Sequence, residues 1–264
     1  RNLSERLTYL RGLEERKETV LASIEEQGKL TDELKAQILS AETMVLLEDL
    51  YRPYKPKRRT RATIAKEKGL EPLAGVITLQ MIKTPLIEEA AKYVDAEKGV
   101  TTAEEAIAGA SDIIAESISD EADYRTHIRD LTVKKGRMTS TAKDPETESV
   151  YEMYYDFDEP VAKLAGHRIL AVNRGEKEKF LTVKIEAPQE DILRYLEKKV
   201  IVRDNPQTNE VLRDVVRDAY DRLIAPAIER EIRSNLTERA EDGAIRVFGK
   251  NLEPVSYTHL TLPT

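Results

Sequence analysis

The sequence of 264 residues contains no cysteine and no tryptophan, and only 5% of its residues are aromatic. Without cysteine, the chain forms no disulfide and offers no thiolate as a nucleophile or as a ligand for zinc or iron–sulfur clusters. No apolar run approaches the roughly 20 residues that span a bilayer, and no signal-like apolar segment follows the first residues. We therefore expect a soluble, cytoplasmic protein with no membrane partner.

Common catalytic and phosphate-binding motifs are also missing. The glycines never form G-x-G-x-x-G or G-x-x-x-x-G-K-[ST], and neither HExxH nor G-x-S-x-G occurs. His127 and His167 have no local partner that indicates catalysis, and we expect a structural hydrogen-bonding role for His167. Acidic residues between 146 and 159 alternate with aromatic ones, which favours a solvated face opposite a buried aromatic face over a metal site. We expect no enzyme activity, no cofactor and no metal.

The charge balance limits the possible partners. Charged residues make up 34% of the chain, and 49 Asp and Glu outnumber 42 Lys and Arg, which gives a net charge of -7. A net negative chain has no global attraction for nucleic acid, so any such binding requires a local basic patch. High charge with few aromatics is typical of long solvated helices.

Residues that favour the start or the end of a helix occur along most of the chain. The first helix is predicted to end near Glu26, before Gly28. Later helices are predicted to start at Thr31, Ser40, Thr60, Thr84 with Pro85 as the first helical residue, and Thr102 in a capping box with Glu105. A further helix is predicted around Tyr124 to Leu131, ending by Gly136, and another around 160–173. The longest is predicted over 209–236, with a kink or break at Pro226.

One segment alternates as a strand does, Phe180–Ile185, and its partners must come from elsewhere because an isolated strand is unstable. Residues 138–149 are polar and are predicted to form a loop. The predicted fold class is mainly α, an elongated multi-helix scaffold with a small β element near residues 180–185.

The two ends of the sequence carry separate expectations. The sequence opens inside a helical pattern, so we expect a preceding segment in the parent protein. Residues 254–264 resemble a translated sequencing adaptor, and a genuine short strand is the alternative. The expected organisation is a helical region over 1–140, a second helical region with one strand over 141–253, and a non-native tail over 254–264.

The strongest local signal is YRPYKPKRRTR at residues 51–61, called the basic segment below. Six of its eleven residues are cationic and none is acidic: Arg52, Lys55, Lys57, Arg58, Arg59 and Arg61. Two prolines hold the backbone extended, while Tyr51 and Tyr54 offer rings on which bases could stack. Such cations would contact phosphates in a salt-dependent way that is blind to base sequence. The alternative is internal, with the cations paired to carboxylates of this chain and the tyrosines packed in the turn. Composition leaves both interpretations open.

A longer stretch resembles a known family. The residues LEDLYRPYKPKRRTRATIAKEKGLEPLA, from Leu47 to Ala74, closely resemble the signature of the bacterial Tex family of transcription accessory proteins. Further resembling pieces follow in family order, starting at Ser23, Gly99, His167 and Arg222, so the resemblance covers residues 1–253. Two departures are Arg52, where an apolar residue is common, and Ala165-Gly166 before His167, where the family often has Pro-Ser.

This resemblance implies a cytoplasmic protein that binds nucleic acid, RNA more than DNA, and assists transcription, with the transcription machinery as a further partner. It also implies a YqgF ribonuclease H-like domain, helix-hairpin-helix modules and an OB-fold RNA-binding module beyond the present sequence. The present chain then corresponds to a helical amino-terminal scaffold whose basic segment is an auxiliary phosphate-contacting patch. The alternative is a purely structural scaffold that positions other modules, with the basic segment paired internally.

Overall fold

A computed structural model of the chain describes the backbone of residues 2–56 and 59–258, and side chains within 4–56 and 59–247. Lys57 and Arg58 of the basic segment, and residues 259–264 of the predicted tail, lie outside the described residues. None of the helices in these ranges combines the length and apolar character needed to cross a membrane.

Helices dominate the described chain, which confirms the mainly α prediction. The α-helices are α1 (Asn2–Glu26), α2 (Asp32–Ser40), α3 (Met44–Tyr51), α4 (Arg61–Glu67), α5 (Glu71–Leu79), α6 (Leu86–Ala91), α7 (Ala103–Asp120), α8 (Ala122–Lys135), α9 (Gly166–Lys177), α10 (Gln189–Val200), α11 (Asn209–Asp218) and α12 (Ala225–Thr258). The strands are β1 (Arg137–Ala142), β2 (Asp156–Pro160) and β3 (Leu181–Glu186).

The chain forms two compact units, each made of two separate stretches. The first unit contains the stretch up to His127 together with Leu193–Ile224, and the second contains Ile128–Ile192 together with the chain from Ala225. The predicted regions 1–140 and 141–253 follow sequence order only, and that division stays a prediction.

In the first unit, apolar stripes on α1, α2 and α3 pack together. Leu13, Val20 and Ile24 of α1 are buried against Ile38 of α2 and Leu47 of α3. A second group of helices, α4, α5, α6 and α11, packs on α7. Three of the buried residues of α7 are alanines, Ala106, Ala110 and Ala115, and their small side chains permit close packing.

Local capping sets most of the helix boundaries in this unit. Thr31 and Thr102 each accept a hydrogen bond from the backbone N–H three residues later, as predicted. The capping box expected between Thr102 and Glu105 is not formed, because the Glu105 carboxylate accepts hydrogen bonds from Thr101 instead. Helix α3 begins at Met44 with Thr43 as its cap, so the predicted start at Ser40 is wrong. Pro85 is the cap of α6 rather than its first helical residue, because its backbone is extended at ψ 136°.

The second unit contains a three-stranded antiparallel sheet in the order β2-β1-β3. Met138 of β1 pairs with Glu159 of β2 on one side and with Ile185 of β3 on the other. The predicted strand at 180–185 is therefore confirmed within one residue, and its partner is in this chain. The loop predicted for 138–149 is wrong at its start, where β1 lies instead. This strand consists largely of threonine and serine, so its sequence shows no alternation of apolar and polar residues.

Two helix predictions near this sheet are revised. The helix expected from about Pro160 begins at Gly166, because Pro160 ends β2 and a single 3₁₀ turn, Val161–Lys163, follows it. The helix expected over 209–236 is interrupted, as predicted, by a π-helical segment at Ala219–Ile224. Pro226 falls in the first turn of α12, where a helix needs no N–H donor. Helix α12 continues to Thr258, so the strand alternative is wrong for residues 254–258, and the origin of the tail stays a prediction.

Candidate functional site

The basic segment starts from a tyrosine that belongs to the protein core. Tyr51, the last residue of α3, is 7% exposed and packs with the apolar residues of α1 and α2. Its hydroxyl lies 3.0 Å from the Ser23 hydroxyl, and the Arg16 guanidinium carbon lies 5.5 Å from its ring centre. Protein therefore covers the Tyr51 ring, which leaves no face for the base stacking considered from the sequence.

Tyr54 is more accessible than Tyr51. It is half-buried at the edge of the same core cluster, and its carbonyl accepts a hydrogen bond of 2.8 Å from the Gln27 side chain. Tyr51 precedes a single 3₁₀ turn, Arg52–Tyr54, which contains Pro53 and ends at Tyr54. The hydrogen bond from Gln27, the residue after α1, holds the end of this turn in place.

The far end of the basic segment is fixed by the start of α4. The Thr60 hydroxyl accepts a hydrogen bond from the Thr63 N–H at 3.1 Å, and the Thr63 hydroxyl accepts one from the Thr60 N–H at 2.7 Å. This reciprocal cap confirms the predicted helix start. Both ends of the segment are thus anchored, which places its described cations in one bend from the end of α3 to the first residue of α4.

Two cations of the segment are exposed and paired. The Lys55 side chain is 58% exposed, with its ammonium 3.8 Å from a carboxylate oxygen of Glu48. The Arg59 side chain is 69% exposed and donates a hydrogen bond of 2.9 Å to Glu67. Exposed ion pairs of this kind contribute about 0–1 kcal/mol, because water competes for both charges. These pairs are therefore weak enough to be exchanged for another anion.

The two other described cations differ from these. Arg61 is exposed on the first turn of α4, and its positive charge favours the ionised forms of Asp112 and Asp218 nearby. Arg52 is half-buried, and its buried Nε has no hydrogen-bond acceptor among the residues that the structure describes. The structure thus places Lys55, Arg59 and Arg61 at the surface and Arg52 partly inside.

Sequence reasoning missed the carboxylates that border the basic segment. Glu48 accepts a hydrogen bond of 2.7 Å from Arg16 of α1, in addition to its contact with Lys55. That hydrogen bond raises the pKa of the Arg16 guanidinium above its usual value, although burial opposes it. Arg16 lies 32 residues before Glu48, so no local pattern could have revealed the contact.

The remaining titratable candidates do not form a reaction centre. The His127 ring stacks on Tyr195 with centres 3.8 Å apart, and His167 is exposed in the first turn of α9. Within the part of the chain that the structure describes, no group of three His, Asp or Glu side chains could hold a metal ion.

The acidic stretch at 146–159 has a solvated face and an aromatic face. Tyr151, Tyr154 and Phe157 are buried, while the intervening Glu152 and Asp156 are exposed. The prediction of a solvated acidic face opposite a buried aromatic face is therefore confirmed.

Comparison with protein families connects this fold to known proteins. A family model described as Tex central region-like matches residues 83–248, more than half of the chain. This chain belongs to the Tex family. The basic segment precedes the region matched by the Tex model.

Three relatives of this Tex-family chain illustrate its range. It is 50% identical to YdcI of Bacillus subtilis (strain 168), over 95% of this chain and 35% of that protein. It is 40% identical to the transcriptional accessory protein Tex of Neisseria gonorrhoeae, over 96% of this chain and 34% of that protein. It is 27% identical to the human S1 RNA-binding domain-containing protein 1, over 98% of this chain and 27% of that protein. The chain spans about a third of the length of the bacterial relatives.

Proposed function

We propose that this chain is the helical part of an RNA-binding transcription accessory protein, and that its basic segment contacts the phosphates of RNA. Family membership supports the accessory role, since a Neisseria relative is named a transcriptional accessory protein. The name of the human relative refers to RNA binding, which favours RNA over DNA as the nucleic acid. A role beside transcription implies contact with the transcription machinery and, in a bacterium, a cytoplasmic location.

The observation that carries the proposal is the confinement of exposed cations to one anchored bend. Lys55, Arg59 and Arg61 are surface residues there, and weak pairs hold two of them. A cation that exchanges a single exposed carboxylate for a phosphate loses little, and it also releases counterions from the nucleic acid. We include Lys57 and Arg58 from the sequence, because they lie between residues of the same bend. Tyr54 is the remaining candidate for stacking on a base.

A second candidate function is a purely structural scaffold, and two observations favour it. Tyr51 is a core residue, and Glu48 and Glu67 pair with cations of the basic segment. If this is the only role, mutation of the cations lowers thermal stability and leaves RNA affinity unchanged.

A charge-reversal experiment separates the two functions. The variant carries Lys55→Glu, Arg59→Glu and Arg61→Glu, and binding of a fluorescein-labelled 20-nucleotide single-stranded RNA is followed by anisotropy between 50 and 200 mM salt. We expect at least about tenfold weaker binding at low salt, and a salt slope smaller by about 2, since each lost contact contributes about 0.7 for single strands.

A matched control variant reverses three exposed cations outside the basic segment, namely Arg11, Lys35 and Lys83. It changes the net charge by the same amount. The proposal predicts that this control binds RNA more tightly than the segment variant, with a slope near that of the parent chain. Equal losses in the two variants would show that only overall charge matters. Unchanged RNA binding by a folded segment variant would reject the phosphate-contacting role.

We also propose that the chain itself carries out no catalytic step. This proposal is tested by incubating the purified chain with labelled RNA and a divalent metal, where cleavage that co-purifies with the chain would contradict it.

A further inference from the structure

The first unit carries an apolar groove that the proposed RNA contact does not use. The groove has a volume of about 570 Å³ and lies between α5 and α7, with residues at the end of α10 and just after it along one side. Ile113, Ile114 and Ile118 of α7 form its base, and Thr78 of α5 and Val200 of α10 border it.

Large aliphatic side chains at the groove are exposed to water. Leu79 is 63% exposed and Val202 is 68% exposed, and both line the groove. Met81, two residues after Leu79, is also an exposed large apolar residue. Exposed apolar side chains that line one groove mark an interaction site more often than singly scattered ones do.

Gly75 lies on the groove wall in the middle of α5. Glycine inside a helix is less stable than alanine by about 1 kcal/mol. At Gly75 the fold does not require it, because a Cβ there would meet no atom within 4 Å and its φ is not positive. The missing side chain therefore leaves open space in the groove.

The charges along the groove favour a cationic occupant. Glu71 and Glu121 line it, and Glu71 already lies 3.7 Å from the ammonium of Lys66, so Glu121 is the carboxylate that a cationic occupant would meet. The lysine that lines the groove, Lys199, has its ammonium 5.9 Å from the ring centre of Tyr195. Among the described residues, no cation forms an ion pair with Glu121. Burial, and secondly the charge of Asp123, raise the pKa of Glu121 above its usual value, so a cation placed there would be stabilising.

We propose that this groove binds an amphipathic helix of a partner protein, which places aliphatic side chains along α5 and α7 and a lysine or arginine beside Glu121. Exposed Leu79 and Val202 supply apolar contact area at the rim, and the space beside Gly75 admits a large side chain. The occupant is a peptide and not RNA, because the acidic side chains at the groove repel phosphate.

The direct test uses a designed helical probe, fluorescein-labelled LKKLLKLLKKLLKL, with binding to the 264-residue chain followed by anisotropy. Gly75→Leu places a side chain in the groove and is expected to weaken binding at least about tenfold. Gly75→Ala is the matched control, since it adds one methyl group, and it is expected to change affinity less than threefold. Circular dichroism checks that both variants are folded. Equal affinity of the Gly75→Leu variant and the parent chain would overturn the proposal.

A charge-swap arm tests the cation site independently of Gly75. Glu121→Lys is expected to weaken binding of the lysine probe at least about fivefold and to strengthen binding of a probe in which every lysine is replaced by glutamate. Glu18→Lys, an exposed position on α1, makes the same change in net charge away from the groove lining and is expected to have less than a twofold effect. If both substitutions change the probe affinity equally, probe binding depends only on the net charge of the chain, and the proposal is overturned.

Two further outcomes assign the groove to another occupant. If single-stranded RNA displaces the lysine probe, and Gly75→Leu weakens RNA binding as much as it weakens probe binding, the groove is a nucleic-acid site. Concentration-dependent dimerisation in sedimentation experiments that Gly75→Leu abolishes would make it an interface between copies of this chain. Either result overturns the partner-helix proposal. The proposal is supported if the chain stays monomeric and RNA does not displace the probe.

Discussion

A buried ion pair supports the helix that carries the basic segment, and its removal is the sharpest stability prediction. The Arg125 side chain of α8 is 1% exposed and donates a hydrogen bond of 2.8 Å to the Asp49 side chain of α3, which is 4% exposed. At that distance the attraction is about 6 kcal/mol for an effective dielectric constant of about 20. Burial of the two charges opposes it by several kcal/mol for each ion.

The variant Asp49→Ala removes one partner and leaves the arginine desolvated. We expect the free energy of unfolding to fall by about 3–5 kcal/mol, because breaking a buried pair leaves an uncompensated charge in the core. This is a large fraction of the 5–15 kcal/mol that stabilises a typical domain. Urea denaturation followed by circular dichroism at 222 nm measures the change.

A double substitution separates the net contribution of the ion pair to the free energy of unfolding from the penalty for removing only one partner. Asp49→Leu combined with Arg125→Met replaces both charges with apolar side chains, and we expect its stability to lie within about 1 kcal/mol of the parent chain. A loss below about 1 kcal/mol in Asp49→Ala, or a double variant as unstable as the single one, would refute this reasoning.

Two further predictions concern α7 and α11. Gly109→Ala is expected to destabilise the chain by a net ~1 kcal/mol, and a thermal melt no lower than that of the parent chain would contradict this. Its added Cβ would lie 2.3 Å from a methyl carbon of the buried Leu70, an overlap that costs about 1–3 kcal/mol, while the helix propensity of alanine returns about 1 kcal/mol. Hydrogen bonds from Arg222, opposed by burial, hold the pKa of Asp218 below its usual value. A carboxyl with a lowered folded-state pKa stabilises above its unfolded pKa of about 3.9 and loses that contribution as pH falls through the folded value. Asp218→Asn should therefore flatten the decline of stability below about pH 4 in urea titrations, and a parallel decline in both proteins would exclude this role.

The features predicted well from the sequence are those set by neighbouring residues. Thr31, Thr60 and Thr102 each cap a helix through a contact three residues away, so a short window contains the whole cause. The start of α3 was misplaced because Ser40 and Thr43 are both good caps, and the choice between them depends on packing against α1. Strand β1 was missed because its two partners supply the stabilisation that its own composition does not indicate.

The site was predictable only in its composition. The structure places Pro53 in a 3₁₀ turn and not in the extended backbone expected for the prolines. The sequence identifies the cations and their place between two helices. It does not identify Glu48 and Glu67 as their partners, nor the contact of Arg16 with Glu48, because these depend on how α1 packs beside α3. Burial of Tyr51 likewise follows from tertiary packing, since a tyrosine at a helix end is exposed or buried according to its neighbours.

Internal pairing and RNA contact at the basic segment are compatible for a physical reason. The pairs of Lys55 and Arg59 are exposed, so each adds at most about 1 kcal/mol to stability and is weakened further by salt. Charges farther away than about 8–10 Å are screened at physiological ionic strength, so the chain's net charge of -7 acts weakly at the bend compared with the cations there. A phosphate strand approaching the bend therefore competes with the few carboxylates nearest these cations rather than with all 49 acidic side chains of the chain. For this reason, the ion pairs that hold the cations in place in the free protein would not prevent these cations from contacting RNA.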